Sequence, residues 1–217
     1  MTRLTDREIH QRHNNNPLFK PFFSSSNSTL EGFGRRVPSF GLSSHGYDIR
    51  VGSTFMLYPS SSPQNSTWEV TYEDGKQDTI NMFTSRSMVA DASTPEHVKL
   101  VRLDNVKELI MPPGGFCLGV SMEEVFMPED LNAVCMNKST MARLGQIYMV
   151  TPLEAGWRGF VTLEIKNELQ IPSRIRVGTG CVQVIFDESR GRPDVTYADR
   201  GGKYQDQPNV PVPPIVR

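Results

Sequence analysis

Four short stretches bring together residue types that could handle a charged, hydrogen-bonding ligand. The first is Lys138-Ser139-Thr140-Met141-Ala142-Arg143-Leu144-Gly145. Ser139 or Thr140 can cap a short helix that Gly145 ends, because glycine accepts the left-handed backbone common just past a helix. The helix start offers unpaired N–H groups and partial positive charge, and Lys138 and Arg143 flank it, a combination suited to phosphate. An ordinary capped turn with solvated basic side chains fits the same residues.

The second stretch is residues 159–167. As a strand it sends Val161, Leu163 and Ile165 to one side and Phe160, Thr162, Glu164 and Lys166 to the other. Glu164 is then either half of a surface pair with Lys166 or a partly desolvated carboxylate of raised pKa, suited to general-base work near neutral pH. The third, Thr151-Pro152-Leu153-Glu154-Ala155-Gly156-Trp157-Arg158-Gly159, is a turn feeding that strand, with Trp157 a core candidate and Arg158 a solvated one. The fourth, Gly201-Gly202-Lys203-Tyr204-Gln205-Asp206-Gln207, reads as a mobile flap offering a cation, an aromatic face and an amide, or as a solvated terminal segment.

Composition bounds what these residues can serve. The 217 residues carry 23 Lys+Arg against 24 Asp+Glu, a net charge of -1, which argues against a nucleic-acid polymer as partner. The cysteines are Cys117, Cys135 and Cys181 and the histidines His10, His13, His45 and His97. None forms the C-x-x-C or H-x-E spacing of a zinc site, and three cysteines make no paired disulfide framework. They read as buried thiols in a reducing cytoplasm. Without a long apolar run or an apolar leader, the chain is expected to be cytoplasmic and to have no membrane partner.

The elements that must position the four stretches are mostly strands. Thr5 and Glu8 make a capping box that opens a short helix through about His13. Tyr47, Ile49, Val51, Phe55 and Leu57 alternate with polar or small residues, with a break expected near Gly52. Further strands are expected at 116–121, 133–136, 147–151, 160–167, 174–177 and 182–186, separated by Gly and Pro at short intervals, which favours a compact barrel or sandwich. Residues 59–78, with Ser and Pro at the start and Asp74-Gly75 as a hairpin turn, read as a surface excursion. The last thirty residues look unable to supply core and form a tail that is disordered or ordered by a partner or ligand.

Taken in order, Ser43-Ser44-His45-Gly46-Tyr47-Asp48-Ile49-Arg50, Lys138-Ser139-Thr140 with Ala142-Arg143, Val150-Thr151-Pro152-Leu153-Glu154, Val161-Thr162-Leu163-Glu164 and Asp199-Arg200-Gly201-Gly202-Lys203-Tyr204-Gln205 resemble the dCTP deaminase family of the trimeric dUTPase superfamily. The match runs from about Phe40 to Gln207, apart from residues 59–78. The resemblance implies a mainly β subunit: a single domain over 1–217, built as a dUTPase-like distorted jelly-roll (β-clip) with a few short helices. It carries a surface insertion at 59–78 and a C-terminal flap at 191–217, and assembles as a homotrimer with sites between subunits. It implies zinc-independent hydrolysis of dCTP to dUTP and ammonia, feeding dUMP and dTTP synthesis, with dTTP as a feedback inhibitor.

By the same resemblance Glu164 is the general base and acid, Ser139 helps to hold the attacking water, and Arg143 supports and orients the carboxylate. Lys138, Ser139, Thr140, Met141, Ala142 and Arg143 form the triphosphate loop; Thr162 and Leu163 lie along the nucleotide; and Gln183, Tyr197, Lys203 and Gln207 contact it. Mg2+ is expected to travel with the triphosphate, held by phosphate oxygens and water, so no protein metal ligands are assigned. Zinc deaminases instead need H-x-E with P-C-x-x-C to activate water.

Three positions depart from the pattern. Asp206 stands where Gly is usual, adding negative charge beside a triphosphate. Met149 stands where a polar residue is common. Glu154 occupies the place where dUMP-forming relatives carry an Asp that activates water against the α-phosphate, and this favours dUTP as product. The alternatives are a bifunctional dUMP-forming enzyme and a non-catalytic nucleotide-binding regulator on the same scaffold.

Overall fold

A computed structural model describes residues 2–30, 34, 36–85 and 90–215. In chain order the described elements begin with β1 (Thr2–Arg3), α1 (Asp6–Asn15), β2 (Phe19–Lys20), β3 (Asn27–Thr29), β4 (Arg36–Ser43) and β5 (Gly46–Leu57). They continue with β6 (Thr67–Tyr72), β7 (Gln77–Asn81), β8 (Val101–Leu103), β9 (Val106–Met111), β10 (Phe116–Phe126) and β11 (Leu131–Asn137). The last are α2 (Ser139–Arg143), β12 (Gln146–Met149), β13 (Arg158–Asn167), β14 (Ser173–Arg176) and β15 (Gly180–Glu188). The mainly β expectation is met, with strands somewhat longer than their apolar cores suggest. α1 starts from the Thr5–Glu8 capping box, where the Thr5 N–H donates to Glu8 Oε2 at 2.8 Å.

The larger sheet runs β1-β15-β5-β10-β13-β12, with β11 added on β15, β2 on β10, and β4 and β8 on β5. The smaller runs β14-β9-β6-β7, and every pairing between named strands is antiparallel. β5 passes through Gly52 without a break. Its first half pairs with β15 and its second with β10, and at the change Val51 to Phe55 stand opposite only Ser121 to Gly119. The expected break is therefore a bulge. Gly52 suits it because a Cβ there would lie 2.9 Å from the Val120 carbonyl oxygen.

Tyr47, Ile49, Val51, Phe55 and Leu57 of β5 are fully buried, and they pack with Phe19, Trp68, Leu109 and Phe186 in one hydrophobic core. Within 59–78, the hairpin of β6 and β7 turns at Gly75, whose φ is +87°, and β6 pairs with β9. Trp68 and Val70 are buried, so this segment has one face in the core as well as one in solvent. Cys117 and Cys181 are buried and Cys135 half-buried, all as free thiols.

The other face of β5 is buried too, and there it carries Asp48 and Arg50. The Arg50 Nε donates to Glu123 Oε1 at 2.6 Å and its backbone N–H to Glu123 Oε2 at 2.8 Å. The guanidinium lies 4.6 Å from the Phe23 ring centre and 4.9 Å from that of Phe40, contacts that favour a cation. Removing one partner of such a pair leaves a buried charge unanswered. Glu123→Ala is expected to cost about 3–5 kcal/mol of folding stability by urea unfolding; a loss below about 1 kcal/mol would show that the pair is dispensable.

Candidate active site

β13 alternates as its sequence requires. Val161, Leu163 and Ile165 enter the core, while Thr162 and Glu164 face a cavity of about 790 Å³. Cross-strand partners shape the surroundings of Glu164: Leu118 of β10 stands on one side and Met149 of β12 on the other. Tyr58, Phe116, Leu118 and Val150 give the cavity an apolar wall. No cation pairs with Glu164 among the described residues, and Lys166 instead binds Glu168 Oε1 at 2.7 Å. The surface-pair reading of Glu164 thus gives way to the desolvated one. Burial pushes its carboxyl up to about 7, against the lowering effect of a backbone hydrogen bond.

Five of the residues expected at the site line this cavity: Glu154, Thr162, Glu164, Tyr197 and Gln207. Leu163 is on the same strand but its side chain is fully buried in the core, so only its backbone can reach a ligand there. The loop before β12 lies elsewhere in the single chain. Lys138, Ser139, Thr140, Met141, Ala142 and Arg143 do not line the cavity, and neither do Gln183 and Lys203. Gln183 donates from Nε2 to Ser43 Oγ at 3.1 Å, and Lys203 Nζ donates to the Ile215 carbonyl at 2.9 Å.

α2 departs locally from the expected capping. Lys138, not Ser139 or Thr140, occupies the cap position, and no side chain caps the helix. Ser139 is already helical, and its Oγ receives a long 3.4 Å hydrogen bond from Arg143 Nη1. Met141 is buried beneath the helix, which removes its side chain from any ligand-facing role, whereas Ser139, Thr140, Ala142 and Arg143 are exposed. Gly145 does end the element, with φ +64° and its N–H donating to the Ala142 carbonyl at 3.0 Å. The Lys138 ammonium forms a salt bridge with Asp48 of β5.

The tail folds back on the chain's own turn at residues 153–159, so neither disorder nor an outside partner is needed to order it. The buried Trp157 donates from its indole to the Tyr204 carbonyl at 2.7 Å, and the Tyr197 N–H reaches the Ala155 carbonyl at 3.0 Å. Gln207 bridges Gly159, and the Val212 N–H donates to Thr162 Oγ1 at 3.1 Å. Two ion pairs accompany these contacts. Arg200 Nη2 contacts both Glu154 oxygens at 2.5 Å, and Arg158 pairs with Asp206. Asp206 has φ +57°, a left-handed backbone that glycine adopts without strain, and its charge is answered by Arg158. Residues 216 and 217 of the expected flap lie outside the described residues.

The family model described as dCTP deaminase-like matches residues 4–189. The chain belongs to the dCTP deaminase family. It is 34% identical to the dCTP deaminase of Ralstonia pickettii (strain 12J) over 213 residues, 98% of this chain and 99% of that one. The dCTP deaminase of Dechloromonas aromatica (strain RCB) is 35% identical over 215 residues, 99% and 100% of the two chains. Among solved structures it is similar to the 2'-deoxycytidine 5'-triphosphate deaminase from Agrobacterium tumefaciens, with a TM-score of 0.52 and 17% identity, covering 86% of this chain. The chain spans about half of that one, 48%. This likeness concerns the fold: the curled antiparallel sheets are those expected of a dUTPase-like subunit.

Several residues of this dCTP deaminase-family chain that shape the cavity or the sheet beside it escaped the sequence reading. Tyr58 and Phe116 meet edge to face at 4.9 Å between ring centres and wall the cavity, yet they look like any half-buried strand aromatics. Asp48 and Arg50 were visible only as letters of a matched motif. The Glu164 carboxyl is expected to titrate near pH 7 when followed by its side-chain carbon resonance in the ligand-free protein, and a midpoint near 4.5 would mean that the cavity wall leaves it solvated.

Proposed function

We propose that the protein hydrolyses dCTP to dUTP and ammonia, and the observation that carries this is Glu164: a half-buried, uncompensated carboxylate of raised pKa on the wall of a nucleotide-sized cavity. Membership of a family whose relatives are named dCTP deaminases supports the substrate. Ionised Glu164 takes a proton from water as the water oxygen bonds to C4 of cytosine. Glu164 gives that proton to ring N3, then takes the remaining proton from the new C4 hydroxyl and passes it to the amino group; C4=O forms as C4–N breaks and ammonia leaves, so that dCTP and water balance dUTP and ammonia. A carboxyl poised near 7 both accepts and returns the proton at neutral pH.

Zinc has no part in this reading, in keeping with the lack of its ligand motifs in the sequence. Mg2+ arrives as part of the substrate, on the triphosphate. The Glu154 carboxylate is taken up by Arg200, and this supports dUTP over dUMP because a carboxylate so held is a poor base toward water at the α-phosphate.

The site is incomplete in one chain, since Ser139 and Arg143 do not reach the Glu164 cavity. Val134 and Met136 of β11, Leu144 after α2, and Met149 of β12 are exposed apolar side chains on neighbouring elements. We assign this surface to a homotrimer in which Ser139 and Arg143 of one subunit face Glu164 of the next, the first holding water and the second supporting the carboxylate. Thr140, Ala142 and Lys203 join them around the phosphates, and Gln183, Tyr197 and Gln207 around the rest of the nucleotide. No described helix is long and apolar enough to cross a membrane. We propose a cytoplasmic enzyme that supplies dUMP and dTTP synthesis under feedback inhibition by dTTP.

Incubation with dCTP and Mg2+ should release ammonia in step with dUTP; pyrophosphate in step with ammonia would show the dUMP-forming reaction instead. Glu164→Gln should lower turnover by at least about 10²–10⁴-fold. The base works ionised, so kcat/KM is expected to rise with pH through about 7 and to fall below it as Glu164 takes a proton. A flat profile from pH 5.5 to 8 would move the proton transfer to another group. Sedimentation at the mass of one chain, or unchanged rates at saturating dTTP, would remove the trimer or the feedback respectively.

A further inference from the structure

The matched stretch Gly46-Tyr47-Asp48-Ile49-Arg50 has no task in the mechanism above, although it sits at the centre of the larger sheet. Arg50 is accounted for by Glu123. Asp48 is not. Its side chain is only 4% exposed, and a carboxylate that deep needs a compensating charge. The described residues offer one, the Lys138 ammonium, itself 15% exposed, while the second oxygen, Oδ1, is buried with no hydrogen-bond partner.

Lys138 is the residue immediately before α2, and three contacts fix it. Its N–H donates to the Cys181 carbonyl on β15 at 3.1 Å, its carbonyl accepts from the Ala142 N–H at 3.0 Å, and its side chain runs to Asp48 on β5. α2 needs such an anchor. A helix of five residues cannot sustain itself by its own hydrogen bonds, and this one lacks a side-chain cap. Besides the buried Met141, the Gly145 stop, the pairing of Asn137 with β15 and the backbone bond to Cys181, the Lys138–Asp48 pair is the side-chain tie between the start of α2 and β5.

We infer that Asp48 is a positioning residue for the deamination, holding Lys138 so that α2 presents Ser139 and Arg143 in a fixed place. Lys138 then serves through Asp48 rather than as a triphosphate ligand, since binding phosphate would require it to abandon a buried carboxylate with no other side-chain donor among the described residues. This inference deepens the deaminase reading and rests on it. A misplacement of about 1 Å at a reacting group can cost about 10²-fold in rate, so the effect belongs in kcat.

The test compares wild type, Asp48→Asn, Lys138→Met and the double variant, in which both charges vanish together and the fold is best preserved. Thermal melting and sedimentation establish that each is folded. Each single variant is expected to lower kcat for dCTP about 10- to 100-fold with KM within about twofold, and the double variant to lose no more than the worse single one. Amide hydrogen exchange should quicken across residues 139–143 in all three and stay unchanged in the β6–β7 hairpin. A Lys138→Met enzyme that keeps kcat and raises KM tenfold or more would make Lys138 a phosphate ligand and overturn the inference, as would losses that multiply in the double variant. Absence of dCTP turnover in the wild type would sink the deaminase reading instead. The exchange measurement would then decide the strut by itself: faster exchange at 139–143 upholds it, and unchanged exchange rejects it.

Discussion

β5 is buried on both of its faces, and one of those faces carries two ionisable side chains. This constraint organises much of the molecule. A strand with Tyr47, Ile49 and Val51 on one side is committed to the core, and its position between β15 and β10 then denies Asp48 and Arg50 access to water. Each must be answered from a distant part of the chain. Glu123 on β10 answers Arg50, and Lys138, ahead of α2, answers Asp48. The two pairs lock the middle of the sheet to the bulged strand on one side and to the short helix on the other. The glycine bulge at residue 52 lets one strand serve both partners in turn.

Much of the fold was legible because it rests on local periodicity. The alternation in 159–167 places Glu164 opposite the core, the Thr5–Glu8 spacing starts α1, and Gly145 ends α2. What stayed hidden depends on partners far apart in sequence. Alternation could show that Glu164 and Lys166 share a face, yet only the structure turns Lys166 to Glu168 and leaves Glu164 against Leu118. Trp68 reads as part of a polar excursion because its neighbours are polar, while its burial comes from pairing with β9 some forty residues later. The cap of α2 was misplaced for a similar reason: hydroxyls are good caps in isolation, but Lys138 is already held by Asp48, and the helix starts directly after it.

The departures from the family pattern also take on a physical meaning together. Glu154 and Asp206, taken singly, add negative charge on segments that line the Glu164 cavity. In the folded chain each faces an arginine, Arg200 and Arg158, and the pairs join the turn before β13 and the first residue of β13 to the tail. All four side chains are about half exposed, so each pair contributes little stability by itself, on the order of 0–1 kcal/mol. Their effect is on local field and register: the two carboxylate charges are neutralised in place, and Trp157, Tyr197 and Tyr204 provide the firmer attachment.

The contact between Gly159 and Gln207 sets a rule of chain length. A Cβ at position 159 would lie 2.5 Å from the Gln207 backbone nitrogen, so the tail passes directly through the space that any other residue would fill. The connection from the end of β15 to this crossing behaves like a measured tether. Its composition is free to vary between the anchoring residues, but gaining or losing one residue would bring a different backbone unit to the crossing and turn alternate tail side chains away from the cavity. Among relatives of this chain, insertions should therefore be sparse between the last strand and the crossing, even where the amino acids themselves drift.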